Sequence, residues 1–149
     1  MTTDRVFGVI AIAALLAALM MPARPQVIPA AGPGFGGSSL HYLSLANNNS
    51  TNVKATAGTV YVISAINTTT TLYYLKLYNK GVAPTCGSDV PVWTMAVPFG
   101  SSSSGGGFVV PIPVGILFGS GIGFCIVANA ADNDNTSAAT GLQVNIAYQ

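Results

Sequence analysis

Leu142-Gln143-Val144-Asn145-Ile146-Ala147-Tyr148-Gln149 alternates large apolar side chains with polar or small ones. Successive side chains of a strand point to opposite faces, so Leu142, Val144, Ile146 and Tyr148 share one side and Gln143, Asn145, Ala147 and Gln149 the other. That is a strand with one buried face. The same period returns upstream in Leu40 to Leu45, Asn52 to Ala55, Thr59 to Asn67, Leu72 to Asn79, Val92 to Val97, Phe108 to Ile112 and Gly123 to Asn129. Between these runs lie Asn47-Asn48-Asn49-Ser50, Thr68-Thr69-Thr70-Thr71, Gly81 to Pro91, Gly100 to Gly107 and Ala131 to Thr140, each rich in turn-forming residues. No stretch after residue 40 keeps an apolar stripe at helical spacing.

The sequence therefore predicts an all-β fold, a single β-sandwich of about eight strands. A jelly-roll arrangement is preferred over an immunoglobulin-like one on the strand count. The β-branched and aromatic residues of Thr59 to Asn67 and Leu72 to Asn79 suit a pleated surface, and the threonine run between them predicts a hairpin. Pro111-Ile112-Pro113-Val114-Gly115 is too rich in proline for a central strand, so an edge or a crossing between sheets is expected there. Such an exposed apolar edge can dock a neighbouring subunit.

Chemistry is scarcer than architecture. The chain has no glutamate and one histidine, His41. General acid–base work and nucleophile activation need ionisable groups in contact, so an enzyme is not expected. For a triad His41 could borrow Ser44 and Asp89, but no nucleophile elbow surrounds a serine. Beyond residue 39 the charges are Lys54, Lys76 and Lys80 against Asp89, Asp132 and Asp134. A formally neutral domain without a basic cluster has little to release counterions from a phosphate backbone, which argues against a nucleic-acid partner. The serine–glycine run from Gly100 to Gly107 lacks the lysine of a phosphate cradle and reads as an inter-strand loop.

Asp132-Asn133-Asp134-Asn135-Thr136 begins as a calcium loop does, with oxygen ligands at alternate positions. The expected glycine is replaced by Ser137 and the closing glutamate by Gln143. Asp132 and Asp134 thus stand as a weak calcium candidate, with Asx turns in a solvated loop as the alternative. Cys86 and Cys125 are the only thiols, an even number that suits a disulfide in an exported chain and two reduced thiols in a cytosolic assembly.

The N-terminus runs apolar from Val6 to Met21 between Arg5 and Arg24. As a helix, such a run reaches about 24 Å, short of the roughly 30 Å of a bilayer core, which suits an export signal. A clear small-x-small cleavage site is missing, so an uncleaved membrane or assembly anchor through residues 6–21 is the competing reading. Prolines and glycines from Pro22 to Ser39 hold neither helix nor central strand. The divisions that follow are a signal or anchor over 1–23, a linker over 24–39 and the sandwich over 40–149.

Asn52-Val53-Lys54-Ala55-Thr56-Ala57-Gly58-Thr59-Val60-Tyr61, Tyr74-Leu75-Lys76-Leu77-Tyr78-Asn79-Lys80, Ala83-Pro84-Thr85, Asp89-Val90-Pro91-Val92, the Pro111 to Gly115 segment and Ala131-Asp132-Asn133-Asp134 together resemble small β-sandwich proteins of tailed phages and prophages, over roughly residues 40 to 148. The resemblance implies a virion-associated component of head-decoration, fibre or tail-tip type and carries no catalytic or ligand-binding residue. The expected function is non-catalytic display on a virion or cell exterior, as a homo-oligomer or beside other surface subunits. Tyr42, Tyr73, Tyr78 and Trp93 are the surface-contact candidates. The alternative expectation is a secreted module that stacks aromatics on a cell-surface glycan and holds calcium in the 132–136 loop.

Overall fold

The computed structural model describes residues 37–101 and 103–149. The expected signal or anchor, its membrane contact through residues 6–21 and most of the linker lie outside these residues. Among the described residues no helix is long and apolar enough to cross a membrane. The strands are β1 (Ser38–Leu43), β2 (Thr51–Lys54), β3 (Gly58–Asn67), β4 (Tyr73–Asn79), β5 (Trp93–Val97), β6 (Gly106–Phe118), β7 (Ile122–Val127) and β8 (Leu142–Tyr148). The sandwich starts at Ser38, not at residue 40, because Ser38 and Ser39 pair with Tyr148 and Ala147.

Two four-stranded antiparallel sheets result, a first with order β1-β8-β3-β6 and a second with order β2-β7-β4-β5. The pairings are nested along the chain: β1 with β8, β2 with β7, β3 with β6 and β4 with β5. Their inner faces supply the core. Val60, Ile63, Ala65, Phe118, Leu142, Val144 and Ile146 come from the first sheet, and Tyr73, Leu75, Leu77, Met95, Val97, Ile122, Phe124 and Ile126 from the second. Alternation in β8 is as regular as its sequence, with Leu142, Val144 and Ile146 buried and Gln143, Asn145 and Ala147 turned outward.

The hairpin expected across Thr68 to Thr71 does not form. β3 and β4 lie in different sheets, so the threonine run is an arch over the end of the sandwich. Asn67 explains the crossing: fully buried, it donates through Nδ2 to the carbonyls of Thr71 (2.8 Å) and Val97 (3.3 Å), while its Oδ1 accepts from the Thr69 amide (2.9 Å) and hydroxyl (2.7 Å). One side chain thus ties the end of β3, the arch and the end of β5. Period-two spacing assigns a face to each strand but does not say whether two such faces lie side by side or opposite one another.

The proline-rich segment lies on β6, an edge of the first sheet, where a missing amide costs no ladder bond. There the register passes from Val62–Pro111 to Val60–Ile116, so Tyr61 alone stands against the run Ile112 to Gly115. Gly115 makes this bulge at φ 71°, and a Cβ there would sit 2.2 Å from Thr59 Cγ2. Val114 projects from it, 91 % exposed.

Candidate functional site

The two sheets differ in what covers their outer faces. On the second sheet, Tyr74, Lys76 and Tyr78 of β4 and Gly123, Cys125 and Val127 of β7 point away from the core, yet all but Tyr74 are buried and Tyr74 is half-buried. The β4–β5 connection closes over them, with Cys86 bonded to Cys125. Tyr78, Cys86, Cys125 and Val127 form a second small apolar cluster, with Tyr74 against it. The β7–β8 connection closes the rest: Lys76 Nζ donates to the Ala131 carbonyl, with Asp134 and Asp132 near enough to act on its charge. Burial lowers the Lys76 pKa, and the two aspartates oppose that shift. Lys80 pairs with Asp89, which also accepts from the Thr85 amide at 2.6 Å and is held below the usual carboxylate range by those bonds.

Asp134 serves its own loop. Its carboxylate accepts from the amides of Asn129 (2.8 Å) and Thr136 (3.2 Å) and from the Thr136 hydroxyl (2.5 Å). Desolvation pushes its pKa up, but the bonds from Thr136 and Asn129 outweigh it and the net shift is downward. Among the described residues no group of three or more His, Cys, Asp or Glu side chains stands together.

Of the surface-contact candidates Tyr42, Tyr73, Tyr78 and Trp93, two are buried and two half-buried. Tyr73 is buried on the inner face of β4, and Tyr78 lies under the disulfide-held connection at 1 % exposure. Tyr42, half-buried, sets its ring edge-on to Phe124 at 5.0 Å between centroids and donates its hydroxyl to Asn49 Oδ1. Trp93 packs on the core opposite Leu77. Each aromatic sits where inward alternation or an overlying loop places it.

Among the described residues, no connection covers the outer face of the first sheet. Register lines it up in three rows: Ser39, Ala147, Val62 and Pro111; His41, Asn145, Ser64 and Val109; Leu43, Gln143, Ile66 and Gly107. Leu43 is 58 % and Val109 70 % exposed, and Ile66 is exposed as well. Small side chains between them leave two shallow hollows that share Ser64, one of about 620 Å³ bordered by Gly107 and Val109 and one of about 320 Å³ bordered by His41 and Ala147. The middle row is bonded along its length. His41 Nδ1 donates to Asn145 Oδ1 at 2.6 Å, and Asn145 Nδ2 donates to Ser64 Oγ at 3.2 Å. Asn145 stands between the imidazole and the serine, so His41 does not touch the Ser64 hydroxyl as a general base would.

Charge follows the same division. Lys54 and Lys76 are on strands of the second sheet, and Lys80, Asp89, Asp132 and Asp134 are in the connections beside it. β1, β3, β6 and β8 contain no Lys, Arg, Asp or Glu. The three rows also hold no Phe, Tyr or Trp. Reading strand by strand for apolar alternation misses this face, although the absence of charge from those four strands is visible in the sequence.

The fold and this face define a class: an all-β sandwich with one outer face closed by loops and a disulfide, and the other open, uncharged and half apolar. No protein-family model matches the chain, and no curated protein gives a significant match.

Proposed function

We propose that the chain is a non-catalytic structural subunit, a jelly-roll sandwich that works by packing against neighbouring subunits on the surface of a virion or similar particle. The nested pairing of β1 to β8 into the orders β1-β8-β3-β6 and β2-β7-β4-β5 supports the jelly-roll assignment, an architecture common in capsid proteins. The observation that carries the functional reading is the bare, charge-free outer face of the first sheet. An exposed surface that is half apolar and free of charge suits a subunit contact.

The Cys86–Cys125 bond supports an extracellular or particle-exterior location, where disulfides persist. The apolar run from Val6 to Met21 then serves as export signal or anchor, with the proline–glycine stretch as spacer. The test is to fractionate native material on a density gradient and follow the chain by mass spectrometry. Many copies per particle in the dense band, with the mass of a linked Cys86–Cys125 pair, are expected. Recovery only as a free monomer in the medium contradicts the reading.

A further inference from the structure

We infer that the outer face of the first sheet is covered by a second copy of this chain, packed face to face about a two-fold axis through the His41–Asn145–Ser64 row. This rests on the subunit reading above and specifies the contact. An isologous pairing brings one patch against itself, so the patch must tolerate its own electrostatics. A face with lysines or aspartates would meet like charges or bury them unpaired, whereas β1, β3, β6 and β8 bring none. Charge matching thus favours a copy of the chain: its uncharged face covers an uncharged face, and the six Lys and Asp of the described residues belong to the strands and connections of the second sheet.

The polar groups of the face are prepared for cover. His41, Asn145 and Ser64 are hydrogen-bonded in sequence across three strands, so two of the row's polar contacts persist when water is removed. Leu43, Ile66 and Val109 stand as ridges, and the hollows beside Ser64 and Gly107 are where a partner's ridges seat. Two sheets meeting face to face in this way pack about 10 Å apart. A lipid surface is disfavoured because the face has no lysine or arginine for headgroups, and a sugar because its rows have no aromatic ring.

Sedimentation equilibrium of the full chain in non-ionic detergent, over a wide concentration range, tests the pairing. Val109→Asp and Ile66→Asp each place a charge on the face, and Val82→Asp places one on an exposed apolar residue of the covered side. Circular dichroism melting checks that each variant folds. The expected result is a dimer whose dissociation constant rises by more than about 100-fold in both face variants and by less than about 3-fold in Val82→Asp, with no weakening in high salt. Equal loss in all three variants, dissociation by salt, or a monomer throughout overturns the pairing. The subunit reading is tested separately, since a chain present in many copies per particle but indifferent to Val109→Asp retains that function and contacts its neighbours elsewhere.

Discussion

Cys86 in the β4–β5 connection is bonded to Cys125 in the middle of β7, which fastens that connection over the outer face of the second sheet, while among the described residues no such cover reaches the first. The asymmetry between the two faces depends on this bond together with Lys76 and the β7–β8 connection. Everything proposed about assembly follows from that difference.

Removing the bond in a Cys86→Ala, Cys125→Ala chain releases a closed segment with a sequence separation of 39 residues. The chain-entropy account gives a loss of about 3 to 4 kcal/mol. Urea denaturation should show this loss, together with greater susceptibility of residues 81–92 to proteolysis. Unchanged stability would mean that the connection is held by its other contacts.

Asn67 holds the arch between the sheets with four side-chain hydrogen bonds, two given and two received. Asn67→Ala leaves the carbonyls of Thr71 and Val97 without that donor inside the sandwich, and a loss of about 2 to 4 kcal/mol is expected. Asn67→Asp keeps the acceptor but not the donor, and should also destabilise. Denaturation midpoints of the two variants give the comparison.

The Tyr78 hydroxyl is buried with no hydrogen-bond partner among the described residues. Tyr78→Phe should be neutral or stabilising by about 1 kcal/mol near pH 7. Burial, reinforced by the charges of Asp89 and Asp132, pushes the phenol from 10.0 up to about 12. Above the lower value the unfolded chain gives up its proton while the folded chain retains it, so rising pH favours unfolding until the higher value is passed. Stability that Tyr78 contributes below its ordinary pKa is therefore lost between these two values. Lys76, whose pKa is lowered, acts in the opposite sense, and the difference between wild type and Tyr78→Phe removes its contribution. Denaturation across that range should show the smaller alkaline loss in the variant; equal losses would contradict the assignment.

Gly115 and Gly119 provide a matched pair on one chain segment. Gly115→Ala must fit a Cβ at positive φ and 2.2 Å from Thr59 Cγ2, whereas a Cβ at Gly119 meets nothing within 4 Å. The first should cost about 1 to 3 kcal/mol and the second stay within about 0.5 kcal/mol. Thermal melts of the two variants decide it.

Strand existence was legible because each strand has at least one face that must be buried, and Leu142 to Tyr148 shows the rule with no exception in its first five residues. The β6 edge was legible from Pro111 and Pro113, which cannot donate to a ladder. Sheet membership was not. Thr68 to Thr71 suits a hairpin as well as an arch, and the deciding contact is from Asn67 to Val97, a residue far along the chain. The burial of Tyr78 was hidden for a related reason. Tyr78 has the outward parity of β4 but is buried by a connection whose position depends on Cys86 meeting Cys125. Local alternation carries no information about such cover, whereas the lack of charge in β1, β3, β6 and β8 is a sequence property from which the open face could have been found.

Hydroxyl-radical footprinting of the full chain, dilute and then assembled, measures that face side chain by side chain. Leu43, Ile66 and Val109 should lose reactivity on assembly while Val82 and Val90, exposed on the covered side, keep theirs. Protection of Val82 and Val90 with Leu43, Ile66 and Val109 still reactive would contradict the claim that the bare sheet is the contact surface.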